Sequence, residues 1–497
     1  MPELLPIPQV DDGTWTTVWL TPTASRRLTE SLIIFLGAIL FLRALAVEPF
    51  GVPTGSMAPT LHGNHKCVDC PRCGYPIRVG EASDDQRNGQ RKAQADAHRY
   101  LPVTCPNCGQ PNIDLSQALL VSGDRLLVDK NIFQLRKPRR WEPAVFRCPS
   151  DPEKPYVKRV IGLPGERVLV YDGDIWINDQ IARKSLKEAR ECRVLVFDMK
   201  YPPKSEGWAK RWIIESNLPP ADMGEAVESG FKLASGELRL DGQQSARSAL
   251  WVAYRNHRFD ETGDSEREEP IRDGFIYNGT SGDDRANAVH DFFVEFEIEI
   301  VGGSGSLQCR LSDGLDQMIA SCPIGEHGDA QLRREGFGTV RTVTRKPLQQ
   351  STKYRIEMAF VDRRISFAID GSEPFPAYDL PPVEARPDVV SPFAVAVQGA
   401  NLVIRDLRIF RDIYYRSTGQ NGIREPLPLA VDEYFMLGDN SANSHDSRSW
   451  PIPGVPERNF LGKPFLLHQP SRVTHMKVFG SERIFQSIDW SRLRFLR

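Results

Sequence analysis

The residues best suited to catalysis first appear in a short sequence, EPFGVPTGSMAPTL, at residues 48–61. Its prolines stiffen the turn, and Gly55 leaves the backbone beside Ser56 open to an approaching carbonyl group. Thr54 and Ser56 are two residues apart, so an extended chain points both hydroxyls the same way. One hydroxyl could attack a carbonyl carbon while its neighbour donates a hydrogen bond. The pattern indicates a nucleophilic serine, although the same residue types are also typical of an ordinary turn.

A lysine that could activate such a serine lies in YVKRVIGLPGERVLV at residues 156–170. The apolar pattern predicts a strand, with Lys158 on the same face as Tyr156 and Val160. A lysine kept from water by apolar neighbours can lose its proton near neutral pH and accept the proton of a serine hydroxyl. A strand lysine that extends its amine to solvent is the structural alternative.

A third polar segment is YFMLGDNSANSHDSRSW, residues 434–450, in which a strand ends at residues 438–440 and a loop of small polar side chains follows. Such loops form hydrogen-bond networks around sites. His445 and Asp446 suggest a Ser-His-Asp triad, but residues adjacent in sequence rarely adopt the geometry that a triad requires. We therefore disfavour a triad here.

Five of the nine cysteines lie between residues 67 and 108, in the segments CVDCPRCGYP and CPNCGQ. The two CPxCG turns predict a zinc ribbon with the four ligands Cys70, Cys73, Cys105 and Cys108. Cys67 could replace Cys70 in a shifted pair, and two disulfides are the alternative in an oxidising compartment. A site closed by four sulfurs has no open position for substrate, so we assign it a structural and not a catalytic role.

One apolar segment could anchor the chain in a lipid bilayer. Residues 31–42 read SLIIFLGAILFL, and the helix-compatible stretch runs over residues 29–47. Arg26 and Arg27 precede it and Glu48 follows, so the positive-inside rule predicts a cytoplasmic N-terminus and an extracytoplasmic remainder. A buried core helix and a signal peptide cleaved after residues 44–46 are the alternatives. We prefer the uncleaved single-pass anchor.

The net charge and the hydropathy of the chain limit the classes of function that it could have. The chain has 497 residues, a formal net charge of −2 and a mean hydropathy of −0.38. A near-neutral charge gives no support to nucleic-acid binding, and the low hydropathy excludes a polytopic membrane protein. About three structural units are expected from the length.

The order of the apolar segment, GSMAPTL, GDRLLVDK, YVKRVIGLPGE and GDNSANSHDSR resembles the type I signal peptidases. By that resemblance Ser56 is the nucleophile, Lys158 the general base, and the Ser56 N–H and Thr54 hydroxyl the oxyanion-hole donors. Ser444 corresponds to the hydroxyl that holds the lysine amine. A structural ion-pair group is implied for Arg159, Asp446 and Arg448. The loop departs from the more usual GDNRDNS form at Ser441 and Ala442, so the charged pair found there is missing.

The resemblance implies a membrane-anchored endopeptidase that removes signal peptides from exported preproteins after small-x-small junctions. Its Ser-Lys chemistry proceeds through an acyl-enzyme and needs no catalytic cofactor. The alternative function is a surface-anchored glycan- or protein-binding module on an inactive peptidase scaffold.

The predicted fold is mainly β, with a catalytic core, one N-terminal transmembrane helix and two insertions. Residues 191–424 contain alternating apolar and polar segments, which indicate a β-sandwich insertion that looks like the concanavalin-like or laminin-G-like jelly rolls. Cys309 and Cys322 in this insertion could form a disulfide or remain buried thiols. The predicted organisation is a cytoplasmic segment 1–28, an anchor 29–47, a core of 48–61, 121–190 and 425–497, a ribbon 62–120 and a sandwich 191–424.

Overall fold

A computed structural model describes residues 22–81, 102–203, 211–215, 231–234, 236–242, 250–259, 266–279, 286–478 and 481–496. Most of the predicted cytoplasmic segment and the polar stretch 82–99 of the ribbon insertion lie outside the described residues. The chain forms two compact units, residues 1–48 and 49–497.

The first unit contains helix α1, Pro22–Leu45, which overlaps the predicted anchor. Among the described residues, none of the helices combines the length and the apolar character needed to cross a bilayer. The transmembrane anchor is therefore not confirmed and stays a prediction.

Among the described residues between 47 and 191, the chain forms short strands and two further helices. The helix Leu186–Glu191 begins at a capping box, in which the Ser185 hydroxyl accepts from Glu188 N and the Glu188 carboxylate accepts from Ser185 N. In chain order the elements are β1 (Val47–Gly51), β2 (His65–Asp69), β3 (Pro76–Gly80), β4 (Leu120–Val121), β5 (Arg125–Asp129), α2 (Ile132–Leu135), β6 (Pro143–Cys148), β7 (Asp151–Gly162), β8 (Arg167–Tyr171), β9 (Asp174–Ile177), β10 (Gln180–Ile181) and α3 (Leu186–Glu191).

The segment predicted as a sandwich is also rich in strands. Its elements are β11 (Arg193–Asp198), β12 (Trp212–Glu215), β13 (Phe231–Ala234), β14 (Glu237–Asp241), β15 (Leu250–Tyr254), β16 (His257–Phe259), β17 (Glu266–Glu268), β18 (Phe292–Ser312), β19 (Gln317–Ile324), β20 (Gly328–Arg334), β21 (Gly338–Arg345), β22 (Lys353–Val361), β23 (Arg364–Ile369), β24 (Tyr378–Asp379) and β25 (Phe393–Asp412). A one-turn 3₁₀ helix, Ile276–Asn278, lies between β17 and β18.

The last part of the chain returns to the first group of strands. Its elements are β26 (Leu427–Pro428), β27 (Glu433–Leu437), β28 (Gly454–Pro456), β29 (Phe460–Gln469), β30 (Ser471–Val478), β31 (Ser481–Ile488) and β32 (Arg494–Phe495). Short 3₁₀ turns at Ser441–Asn443, Glu457–Asn459 and Trp490–Arg492 connect them.

The core sheet has the order β1-β5-β29-β6-β7-β27-β28, with β32 paired to β29. Strands β5, β6 and β7 therefore share one sheet with β27, β28 and β29 from the other end of the second unit, and the pairs among them are antiparallel. On β7, Lys158 is opposite Ala144 of β6, and Val160 is opposite Met436 of β27. A smaller sheet, β10-β9-β8-β26, adjoins it in sequence. The strand predicted within residues 156–170 is confirmed, as β7 and β8.

The sandwich is organised by β18 and β25, which pair along most of their length. The first half of β18, residues 292–299, also pairs with β22, whereas residues 305–312 pair with β19. Bulges between residues 295 and 306 mark the change of partner, because bulges let a long strand bend from one sheet layer into another. The mainly β architecture and the sandwich agree with the sequence prediction.

The ribbon segment forms the small sheet β3-β2-β4 and packs on the sandwich. The Asn107 side chain donates to Tyr201 O at 3.0 Å and accepts from Asp198 N at 2.7 Å. Tyr75 meets Tyr201 edge to face, with ring centroids 5.4 Å apart. The two insertions thus share one apolar core. The local periodicity of the sequence does not indicate this contact.

Candidate active site

Lys158 lies on β7, which is hydrogen-bonded between β6 and β27 in the core sheet. Its side chain is fully buried, and Nζ donates to the Ser444 hydroxyl at 3.2 Å. Ser444 follows β27 in the polar loop predicted from the sequence. The structure therefore brings the two predicted residues together across 286 positions of chain.

The turn that carries Ser56 is fixed by a residue that the sequence reasoning missed. The backbone N–H of Asn440 donates to Ser56 O at 3.0 Å, and the Asn440 side-chain amide donates to Gly55 O at 3.0 Å. Ser56 is buried, with 4% of its surface exposed, and Thr54 is half-buried. The signal for Asn440 was its place in the Gly-Asp-Asn break that ends β27.

Gly438 explains why these two loops can meet. An ideal Cβ at Gly438 would lie 2.2 Å from Ser444 Oγ and 2.5 Å from Ser56 O, closer than real Cβ contacts allow. A glycine is therefore needed where the Ser56 backbone and the Ser444 hydroxyl converge. Lys158, Ser444 and the Ser56 turn consequently occupy one buried site.

Arg159, the residue after the lysine, supports the same loop from the other face of β7. Its guanidinium donates to Asp439 through Nε at 2.8 Å and Nη2 at 2.6 Å, and both side chains are almost completely buried. Burial alone would lower the pKa of Arg159, but the Asp439 carboxylate raises it well above the usual value. The Thr60 hydroxyl also donates to Asp439. This bidentate pair connects β7, the polar loop after β27 and the segment that follows Ser56.

Asp446 and Arg448 form a second buried ion pair, with Nε and Nη2 at 2.9 and 2.7 Å from the carboxylate oxygens. Asp446 also accepts from Gly438 N at 3.1 Å. Burial raises the pKa of Asp446, but Arg448 outweighs this and holds it below the usual range. The three residues predicted as one ion-pair group are therefore divided between two pairs, with Asp439 as the missed partner of Arg159.

The same contacts bear on the Ser-His-Asp alternative. The Asp446 carboxylate is engaged by Arg448 and Gly438 N, while the His445 ring meets Trp450 edge to face with centroids 6.4 Å apart. This geometry agrees with the argument against a triad at that position.

The four predicted metal ligands converge in the ribbon. The Cys70 and Cys108 sulfurs are 3.6 Å apart, the Cys73 and Cys105 sulfurs are 3.7 Å apart, and all four lie within 4.8 Å of one another. Tetrahedral zinc with Zn–S bonds of about 2.3 Å separates its sulfur ligands by about 3.8 Å, so the cluster fits zinc.

Their chemistry is also suitable. Cysteine sulfurs bind zinc as thiolates, and four of them complete its tetrahedral coordination. Zinc held there would cross-link the two turns.

The structure also tests the alternatives for the cysteines, namely the disulfides and the ligand set that includes Cys67. All nine cysteines are free thiols, including the buried Cys309 and Cys322, so both the paired ribbon disulfides and the sandwich disulfide are wrong for this structure. Cys67 lies on β2 and is not in the cluster, so the shifted ligand set is also wrong.

Parts of this chain are similar in sequence to known peptidases. The family model for signal peptidase, peptidase S26, matches residues 115–248 and 409–468. Signal peptidase I of Pseudomonas fluorescens is 32% identical over 161 residues, covering 32% of this chain and 39% of the relative. Signal peptidase I of Rickettsia massiliae is 29% identical over 150 residues, covering 30% and 42% respectively. The chain is similar to the type I signal peptidases. The predicted resemblance is thereby confirmed.

The similarity has clear limits along the chain. It spans about two fifths of the length of these signal peptidases. The family-model match includes Lys158 and Ser444, whereas Ser56 precedes it. The match also continues past the predicted core boundary at residue 190, as far as residue 248.

Two solved structures match parts of the chain at low sequence identity. The carbohydrate-binding module CBM66 of Bacillus subtilis is 11% identical, covers 40% of this chain and 94% of that chain, and has a TM-score of 0.23. Laminarinase from Flavobacterium sp. UMI-01 is 11% identical, covers 44% and 100%, and has a TM-score of 0.28. Scores this low support no argument about the ligand of the sandwich.

Proposed function

We propose that this chain is a serine endopeptidase in which Ser56 is the nucleophile and Lys158 the general base. The observation that carries the proposal is the fully buried Lys158 amine, 3.2 Å from Ser444 Oγ, at the point where Gly438 lets Ser444 approach the Ser56 backbone. A general base must reach the hydroxyl that it deprotonates, and the contact with Ser444 places the Lys158 amine beside the loop that meets the Ser56 backbone. The similarity to signal peptidases I supports the proposed peptidase activity.

The proposed reaction has two stages. Ser56 Oγ attacks the carbonyl carbon of the scissile peptide while the neutral Lys158 amine accepts the hydroxyl proton. The Ser56 N–H and the Thr54 hydroxyl stabilise the resulting oxyanion. Collapse of this intermediate breaks the C–N bond, and Lys158 donates the proton to the departing amine. Water, deprotonated by Lys158, then releases the acyl group and restores Ser56.

Ser444 and the two ion pairs act through these groups. The Ser444 hydroxyl accepts a hydrogen bond from the lysine amine and fixes its direction. The pairs Arg159–Asp439 and Asp446–Arg448 hold the ends of the loop that supports Ser56 and Ser444. No cofactor is needed for the chemistry, and zinc in the ribbon would be structural.

The proposed substrates are exported preproteins cut after small-x-small junctions. We propose that residues 29–47 anchor the chain in the cytoplasmic membrane, with the N-terminus inside and the catalytic domain outside. The uncharged run at 31–42 and the arginines before it support this topology. Protease accessibility of the catalytic domain in spheroplasts, compared with intact inverted vesicles, tests it.

Cleavage of a purified preprotein by the full-length chain in detergent tests the catalytic assignment. We expect Ser56→Ala and Lys158→Met to lower kcat by at least 10³-fold, because nucleophile and base are each required for the covalent step. Lys154→Met is a matched control, since Lys154 is exposed on the same strand. Unchanged cleavage by Ser56→Ala would refute Ser56 as the nucleophile, whereas absence of cleavage by the parent would refute the peptidase and leave the binding-module alternative.

A further inference from the structure

A segment of the sandwich insertion reaches the nucleophile turn directly. Tyr277, in the 3₁₀ turn Ile276–Asn278, packs so closely on Gly55 that a Cβ at Gly55 would lie 2.3 Å from the ring atom Cε1. The same ring stacks on His62, with centroids 5.3 Å apart and planes inclined by 14°. The insertion is therefore part of the surroundings of Ser56.

The next residue, Asn278, forms a reciprocal amide pair with Asn440. The Asn440 amide donates to Asn278 Oδ1 at 2.7 Å, and the Asn278 amide donates to Asn440 Oδ1 at 2.9 Å. The second N–H of Asn440 donates to Gly55 O at 3.0 Å. Reversing the Asn440 amide would place an oxygen against both the Gly55 carbonyl and Asn278 Oδ1. Gly55 O and Asn278 together thus fix the orientation of the Asn440 amide, and the pair with Asn278 holds its plane where it can donate to Gly55 O.

That hydrogen bond fixes more than a carbonyl group. The Gly55 carbonyl and the Ser56 N–H belong to one planar peptide unit, in which a trans bond points them in opposite directions. Holding Gly55 O therefore also determines where the Ser56 N–H points. This N–H is an oxyanion-hole donor in the proposed mechanism, and the direction of such a donor decides how much it stabilises the transition state.

We propose that Asn278 is a positioning residue for the oxyanion hole, supplied by the sandwich insertion and acting through Asn440. This inference rests on the proposed peptidase function. It gives the insertion a part in catalysis that is distinct from binding a glycan or protein.

Steady-state kinetics of Asn278→Ala, Asn440→Ala and the double variant test the proposal. We expect Asn278→Ala to lower kcat about 10-fold with KM changed less than two-fold, because a misdirected oxyanion donor affects the transition state more than substrate binding. The double variant should be no slower than Asn440→Ala, because Asn278 acts through Asn440. Independent, multiplicative losses in the double variant, or an unchanged kcat in Asn278→Ala, would overturn it.

Two further variants separate positioning from simple folding defects. Asn278→Asp keeps the shape of the side chain but places a carboxylate oxygen against Asn440 Oδ1, so we expect at least the loss seen with alanine. Asn256→Ala, which removes a 2.8 Å hydrogen bond to Glu269 O elsewhere in the insertion, should retain the parental kcat. Parental activity in Asn278→Asp, or an equal loss in Asn256→Ala, would contradict the proposal.

Hydrogen exchange gives a readout that does not depend on peptidase activity. Amides in residues 52–62 should exchange faster in Asn278→Ala than in the parent or in Asn256→Ala. If the parent fails to cleave any preprotein, the proposed function fails, yet this comparison still tests the contact. Unchanged exchange would refute the positioning role itself.

Discussion

Removal of the Asp439 carboxylate should destabilise the core sheet strongly. Asp439→Ala leaves the Arg159 guanidinium buried, since these two side chains have exposures of 0% and 1%. Two charge-assisted hydrogen bonds, at 2.8 and 2.6 Å, are lost, and the remaining guanidinium contacts are weak or neutral ones to backbone carbonyl groups and Thr60. Breaking a buried ion pair from one side costs about 3–5 kcal/mol.

Thermal and urea unfolding followed by tryptophan fluorescence measure this cost. A loss of that size should lower the Tm by on the order of 10 °C. The exposed Arg458–Asp432 pair provides the control, because Asp432→Ala should cost less than about 1 kcal/mol.

A paired replacement sharpens the comparison. Arg159→Met/Asp439→Leu removes both charges and should recover most of the loss, because the main penalty comes from the unpaired ion. Equal midpoints for Asp439→Ala and Asp432→Ala, or a double replacement less stable than Asp439→Ala, would refute the reasoning.

Three other outcomes are expected. The purified chain should carry about one zinc ion, which Cys70→Ser should remove and Cys67→Ser should retain; metal analysis showing zinc in Cys70→Ser would contradict the ligand set. Ser444→Ala should lower kcat about 5- to 100-fold with little change in KM, because loss of one hydrogen bond frees the Lys158 amine; preprotein cleavage at saturating substrate measures it. Burial, more than the nearby Asp362 charge, raises the pKa of Asp412 to about 7. This carboxyl group therefore contributes stability that is complete below about pH 4 and is lost as the pH rises through 7, so the advantage of the parent over Asp412→Asn in urea should shrink across that range; a constant difference would refute it.

Local patterns predicted the strands of the core well. The alternation around Lys158 and the apolar run before Gly438 each correspond to a strand, β7 and β27. The spacing of the two CPxCG turns likewise predicted which four sulfurs converge. These features depend on side chains a few residues apart, which the strand period or a tight turn places relative to one another.

Partners that are distant in sequence could not be assigned in this way. Arg159 and Asp439 are 280 residues apart, and the sequence reasoning grouped Arg159 with Asp446 instead. The sequence did not identify Asn440 as a site residue, since an asparagine after a strand is typical of any turn. The chain between two such residues can adopt many conformations, and only tertiary packing selects the one that brings them into contact.

The sequence by itself determined the chemical groups of this protein: a serine in a stiff turn, a lysine in an apolar strand and four cysteines in matched turns. The tertiary structure decided which of these groups meet, placing Lys158 on Ser444 and the Asn278 amide on Asn440. The reason is physical, because backbone periodicity fixes the direction of neighbouring side chains, whereas contacts across hundreds of residues follow from how sheets and insertions bury their apolar faces together.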